Sequence, residues 1–369
     1  MRRVSVAMVT NSPAPYRVPI LNLVAKSDAV RLHVLYACGR EPNREWDCPE
    51  ISHPHTFLRE NFWSSRHGTF IHNNTDVYSR LRALNPDVVV TNGFNPTHLY
   101  AFAYAQLHRR AHIAMTDGTI ESEAGLTWLH RLARRMVFRR SRALIVASNG
   151  GRNLVRKYGV PDGNIFFSPL CANLSIQWDN VKPHSSGVDF LFSGRLVETK
   201  NPLFALEVAQ GVARNIGRRV SLGVLGNGPL QANLQVQASV PGNQVELRMA
   251  GHVPQAEIPG WFAGARVFLF PTQWDPWGVV ANEACRAGVP TIISPHAGAA
   301  GELVVDGVGG YVRPLNVDQW VEVATSLISD DTLHGQMSVQ ARRAAEPYSF
   351  EKAAAAIVEA SIAAAGSYF

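Results

Sequence analysis

Short apolar runs recur along the chain, each closed by a turn rich in Gly, Pro, Asn or Asp, and the segments between them have helical composition. In the first half these runs predict strands over residues 4–9, 32–35, 87–90, 113–115 and 143–147. In the second half a strand starts at Val188 and continues through Phe190-Leu191-Phe192. Val224-Leu225, residues 245–250 and Phe268-Leu269-Phe270 repeat the pattern. Strands that are apolar without alternation belong to parallel sheets covered by helices on both faces. Helices are predicted from Pro202 onward, over residues 128–142, over 279–287 where Gly288 and Pro290 close the run, and over the alanine-rich 353–365. The alternation gives an α/β fold class.

A chain of 369 residues is too long for one ordinary core and suits two domains. Residues 177–186, polar and interrupted by Pro183 ahead of the strand at Val188, put the boundary between 169 and 186. A hydrophobic content of 46% indicates a globular chain. No run of eighteen apolar residues appears, and the opening segment reads as a first strand, too short for a signal peptide, so the expected location is the cytosol. Cys38, Cys48, Cys171 and Cys285 lack the close pairing of a zinc site, and no Asp-x-Asp pair offers a metal handle. Reduced thiols and no metal or other cofactor are expected.

Charge divides unevenly. Residues 1–170 hold 22 Lys and Arg against 12 Asp and Glu, and the remainder 13 against 17, so the first half is the basic one. Much of the surplus sits in residues 128–142, a helical run with Leu129, Leu132 and Met136 set among arginines. Such a face can lie on anionic lipid headgroups; equally, the helix can pack Leu129, Leu132, Met136 and Val137 on the sheet with its arginines in water. No nucleic-acid motif or aromatic-interleaved strand accompanies the charge.

The chemistry concentrates after three of the strands. Asp275 and Glu283 are separated by seven residues across a turn-like loop and the start of a helix near Gly278. The first turn of that helix would offer unpaired amides and a positive dipole end to an anionic diphosphate, with one acid toward ligand hydroxyls and the other toward a second part such as a ribose. Gly194-Arg195 and Lys200 supply a planar fork and a compact point charge next to a strand end, a pair suited to a leaving diphosphate. The turn Gly226-Asn227-Gly228 reads as chain reversal or as a ligand loop. In the first half, ligands of a parallel sheet bind beyond the carboxyl ends of its strands. That edge carries Tyr16, Arg17, Asn95, Asp117 and Glu121 as candidate acceptor-binding residues. Asp117 could orient an acceptor hydroxyl or simply cap a turn before Gly118. Arg17 is read as touching a donor diphosphate or an anionic acceptor, or as a surface residue.

These residues resemble the retaining GT-B glycosyltransferases of family 4, the group 1 type, whose signature is Glu, seven residues, Glu and an Ala-x-x-x-Gly-x-Pro tail. Here the tail is Ala284 to Pro290, and the likeness continues through Ser294 to Val304 and Asp306 to Tyr311, covering most of residues 188–314. Asp275 stands where the family has its first Glu, for which a repositioned loop is expected, and Asp117 stands near a position where many members carry His. The resemblance implies two Rossmann-like doubly wound domains facing a cleft. Residues 1–172 would bind acceptor, 173–347 would bind the nucleotide sugar, and the helix of 348–369 would cross back to the first domain, making closure a hinge motion. It implies donor contacts from Gly194, Arg195, Lys200, Asn227, His252, Val253, Asp275, Trp277, Gly278, Val279 and Glu283, with His252 reading equally as a solvated loop histidine. Catalytic parts would fall to Asp117, Arg195, Lys200 and Asp275.

The implied reaction is retaining, metal-independent transfer of a sugar from a nucleotide-diphosphate donor to a glycan or lipid-linked acceptor in polysaccharide or glycolipid biosynthesis. It would take place in the cytoplasm and peripherally on the inner face of the plasma membrane. Two other classes compete: a nucleotide-sugar 2-epimerase-like isomerase, which would need dedicated acid and base groups, and a non-catalytic nucleotide-sugar-binding subunit.

Overall fold

The computed structural model describes residues 2–42, 50–64, 70–172, 182–184 and 187–366. Cys48 and most of the polar segment 177–186 lie outside these. Two compact units appear: residues 1–170 with 350–369 form unit 1, and residues 171–349 form unit 2.

In unit 1 the strands are β1 (Val4–Thr10), β2 (Val30–Tyr36), β3 (His55–Phe57), β4 (Phe62–Ser64), β5 (Phe70–His72), β6 (Val88–Asn92), β7 (Ala111–Thr116), β8 (Ala143–Val146) and β9 (Ile165–Phe167). The helices are α1 (Val18–Ala25), α2 (Val77–Leu84), α3 (Pro96–Leu107), α4 (Trp128–Arg140), α5 (Asn149–Lys157) and, from the chain end, α12 (Phe350–Gly366). Seven strands make one parallel sheet in the order β3-β2-β1-β6-β7-β8-β9, while β4 and β5 form a separate antiparallel pair. β1, β7 and β8 are buried along nearly their whole length, as their predominantly Val, Ile, Leu, Met and Ala composition requires. One core layer gathers Val9, Leu35, Leu81, Val89 and Tyr104, and another Phe102, Ala114, Phe138, Leu144 and Val155. α12 buries a stripe of Ala353, Ile357, Ala360 and Ala364 within unit 1, and Ser168 Oγ donates to Ala353 O at 3.1 Å.

In unit 2 the strands are β10 (Val188–Ser193), β11 (Val220–Leu225), β12 (Val245–Gly251), β13 (Ala265–Phe270), β14 (Thr291–Ile293), β15 (Val305–Asp306) and β16 (Gly309–Val312). The helices are α6 (Pro202–Ile216), α7 (Gln231–Ala238), α8 (Ile258–Ala263), α9 (Val279–Ala287), α10 (Val317–Ser329) and α11 (Asp331–Ala345). The sheet is parallel in the order β12-β11-β10-β13-β14-β16-β15. Its core joins Phe190, Phe192, Leu206, Val212, Leu269 and Trp320.

Both sheets are Rossmann-like, and each reverses its winding once, between β1 and β6 in unit 1 and between β10 and β13 in unit 2. At such a reversal the two flanking loops leave in opposite directions and open a crevice at the carboxyl ends of the strands. The loops in question begin at residues 11 and 93 in unit 1, and at 194 and 271 in unit 2. The strands that pattern reading misses are β3, β4, β5, β9, β14, β15 and β16, each two to four residues long and too brief to show a period.

Ile357 is 1% exposed on α12. Ile357→Asp buries an unpaired carboxyl and is expected to cost about 3–5 kcal/mol, read as a lower denaturant midpoint; an unchanged midpoint would mean that α12 is dispensable to unit 1.

Candidate active site

The loops at the carboxyl edge of the unit 2 sheet are held by their backbones. Gly194 N donates to Leu225 O (2.9 Å), Gly226 N to Gly251 O (2.7 Å), Leu196 N to Asn227 O (2.9 Å) and Leu230 N to Leu196 O (3.0 Å). The approach is so close that a Cβ on Gly226, at φ +121°, would lie 2.2 Å from Gly194 O, and one on Gly228 would lie 2.4 Å from Leu196 O. Glycine at 226 and 228 is therefore a steric requirement. Asn227 and His252 are exposed along this lacing and Val253 is buried.

Across the reversal point, Thr199 O accepts from Gln273 N (2.8 Å) and Thr272 Oγ1 (3.0 Å). This ties the loop after β10 to the loop after β13. Lys200 Nζ then donates to Asp275 Oδ2 at 2.6 Å, with both side chains 19% exposed. Asp275 Oδ1 accepts from Trp277 N (3.0 Å), and the Asp275 backbone pairs with His296 O and Gly298 N. Arg195 is exposed beside them and forms no ion pair among the described residues. Asp275 is one methylene shorter than a glutamate and still reaches Lys200, the two loops being tied through Thr199 O.

α9 begins at Gly278, whose φ of +94° and whose absent Cβ, 2.3 Å from Phe270 Cε1 if it were present, admit only glycine. No side chain caps this end, so first-turn amides, Val279 among them, and the positive end of the helix dipole stay available. Glu283, on the same helix, is 7% exposed and accepts from Gln255 Nε2 at a long 3.4 Å. Burial pushes its carboxyl up to about 7, the Gln255 contact opposing only weakly. A buried acid with so little support is a carboxylate waiting for donors. Gln255 is invisible to motif reading because nothing local marks a residue whose meaning is its distance to Glu283.

The Trp277 side chain is not offered to a ligand. It is 1% exposed, its Nε1 donates to Asn282 Oδ1 (2.7 Å), and its ring lies 5.2 Å from that of Tyr348. Its part in the loop is played by its backbone, whose amide donates to Asp275 Oδ1 and whose carbonyl accepts from Ala299 N (2.9 Å).

In unit 1 the reversal edge is also spanned by an ion pair. Arg17, 4% exposed just before α1, donates through one guanidinium nitrogen to Asp117 Oδ1 (3.1 Å) and Oδ2 (2.9 Å) and through another to Met115 Sδ (3.5 Å). The reading of Arg17 as a surface residue is thereby corrected: it is buried, and its charge pairs with Asp117. The Asp117 side chain keeps 29% exposure. Tyr16 and Asn95 are half-buried on the neighbouring loops and Glu121 is exposed. His98, unnoticed in the sequence, is buried below Gly93 with neither ring nitrogen partnered among the described residues, and burial lowers its pKa to about 3, keeping it neutral.

The helical run at 128–142 is likewise corrected. Val137 and Phe138 are buried, but Leu129 and Leu132 are more than half exposed and Met136 is 39% exposed. They do not pack on the sheet.

Comparison with known proteins identifies the family and the fold. The model of the family described as Glycosyltransferase Family 4 matches residues 22–174, and that of Glycosyl transferases group 1 matches residues 177–344. The chain belongs to the GT-B group 1 glycosyltransferases. The D-inositol 3-phosphate glycosyltransferase of Arthrobacter sp. (strain FB24) is 26% identical over 227 residues, 58% of this group 1 chain and 54% of the relative. The chain thus spans about half the length of the curated relatives it matches. In fold, Anabaena HepE in complex with UDP superposes with a TM-score of 0.73 at 15% identity, over 96% of this chain and 98% of that one. WaaG, a glycosyltransferase involved in lipopolysaccharide biosynthesis, gives 0.66 at 16% identity over 96% and 98%.

Two outcomes follow for this group 1 glycosyltransferase. Glu283 has a folded-state pKa raised above its unfolded value, so its contribution to stability is complete below about pH 4.5 and is lost as pH rises through about 7. Glu283→Gln is therefore expected to raise the melting temperature at pH 8 and leave it nearly unchanged at pH 4.5; a melting temperature that falls at pH 8 would make Glu283 an ordinary structural acid. Asp117→Ala strands the buried Arg17 and is expected to cost about 3–5 kcal/mol in denaturant unfolding, more than Arg17→Met, which removes the buried charge and keeps an apolar stem.

Proposed function

We propose that the chain transfers a sugar from a nucleoside-diphosphate donor to a hydroxyl of a glycan or lipid-linked acceptor, with retention at the anomeric carbon and without a metal ion. The observation that carries this reading is the Lys200–Asp275 pair across the unit 2 reversal point, flanked by unpaired Arg195 and the uncapped start of α9. A diphosphate needs cations and amides at one spot, and a sugar needs an acid beside them.

In this reading the donor bond between anomeric carbon and phosphate oxygen breaks with its electron pair on the diphosphate. Arg195, Lys200 and the α9 amides take up the charge that develops there. Lys200 turns from Asp275 toward the phosphates, and Asp275, released on one oxygen, accepts from sugar hydroxyls. Glu283 accepts from the ribose diol, hydroxyl groups satisfying a carboxylate that Gln255 reaches only at 3.4 Å. In unit 1 Asp117, fixed by Arg17, orients the acceptor hydroxyl, whose oxygen bonds the anomeric carbon as its proton passes to the departing phosphate oxygen. No protein nucleophile is required. The UDP held by HepE supports a nucleoside diphosphate as the leaving group. The basic composition of the first half supports an acceptor presented at the cytoplasmic face of a membrane, in polysaccharide or glycolipid synthesis.

Arg195→Ala and Lys200→Ala are each expected to lower turnover by about two to three orders of magnitude with unchanged melting temperature and with activity insensitive to EDTA. Full turnover in both variants would refute the assignment. A panel of UDP, GDP and ADP sugars is expected to contain at least one that raises the melting temperature, and a flat response to all would remove the donor. Proton NMR of the product then reads retention or inversion directly.

A further inference from the structure

α4 is turned opposite to an ordinary surface helix. Its buried side is Val137 and Phe138, whereas Trp128 (70% exposed), Leu129 (57%), Leu132 (55%) and Met136 (39%) look outward. Four large apolar side chains on thirteen helical residues form a contiguous patch of the kind that marks a binding surface. Arg131, Arg135 and Arg139 alternate with them, and together with Trp128, Leu132 and Lys157 at the end of α5 they line a groove of about 980 Å³, beside which Leu129 and Met136 lie exposed. The acid in this groove, Glu123, is already taken by Arg134 and by the Tyr158 hydroxyl (3.0 Å). Arg135, Arg139 and Lys157 have no ion pair among the described residues, so the groove keeps a surplus of positive charge.

We propose that the α4–α5 groove docks the protein on the headgroups of an anionic phospholipid bilayer. Lipid phosphates sit among Arg131, Arg135, Arg139 and Lys157, while Trp128, Leu129, Leu132 and Met136 enter the interfacial layer. Nucleic acid or free phosphate would satisfy the cations and leave the aliphatic side chains in water; a charged bilayer supplies partners for both sets. The link to function rests on the transferase reading. The loop of residues 117–127 runs from Asp117 to the start of α4, so docking there would bring a lipid-linked acceptor toward the residue assigned to orient its hydroxyl.

The full chain is tested by co-sedimentation with phosphatidylcholine vesicles, with and without phosphatidylglycerol. Binding to the anionic vesicles alone is expected, weakening with salt. Arg131→Gln/Arg135→Gln/Arg139→Gln should weaken it by about two orders of magnitude, and Trp128→Ser/Leu132→Ser should weaken it as well. Because these side chains are exposed, both variants should keep the wild-type melting temperature and its shift with a donor sugar. The proposal is overturned if wild type stays in the supernatant, if the Trp128/Leu132 variant binds as wild type does, or if an oligonucleotide or millimolar inorganic phosphate displaces the protein from vesicles. Lost docking with an intact donor shift leaves the transferase reading standing, and a flat donor response with intact docking leaves the surface standing.

Discussion

Everything at the carboxyl edge of the unit 2 sheet depends on how near its strand-end backbones come to one another. Parallel strands deliver all their carboxyl ends to one edge, and the edge becomes a site only if the loops stay compact there. Gly194, Gly226 and Gly228 let the chain touch itself with no side chain between, and four backbone hydrogen bonds fix the result. Lys200 and Asp275 then meet because the backbones beneath them have met first, through Thr199 and Thr272.

The two units use the reversal of sheet winding in the same way and with different economies. In unit 2 the spanning pair is one-fifth exposed, and a cation of simple geometry can exchange an aspartate for a phosphate. In unit 1 the cation is buried and lies on both carboxylate oxygens, so exchange would strand a guanidinium away from water. One pair is built to open, the other to hold an acid still. In the proposed reaction that contrast suits Lys200 to ligand charge and Asp117 to orientation.

The alternation of apolar runs with helical segments was enough for the two parallel sheets, because strands buried on both faces leave a composition that no other element needs. The glycine turns and the spaced acids were legible for a similar reason: only close backbone approach and ligand chemistry call for them together. Pairings across long stretches were not. Arg17 and Asp117 lie 100 residues apart, and Gln255 gains meaning only from Glu283. Trp277 sits in the motif yet points into the core, since a sequence position carries no direction. Residues 128–142 contain enough apolar positions for either face of α4, and Phe138 took the inner place that Leu129, Leu132 and Met136 might equally have filled on periodicity alone.

Glu283 carries a consequence of its own. A carboxyl titrating near neutrality holds a fractional hydrogen ion at pH 7, and a ligand whose hydroxyls need the bare carboxylate must expel that fraction on entry. For the proposed donor, recognition at Glu283 would thereby be linked to buffering: the heat of association would track the ionisation enthalpy of the surrounding buffer, and acidification would loosen the grip on the ribose without touching Arg195 or Lys200.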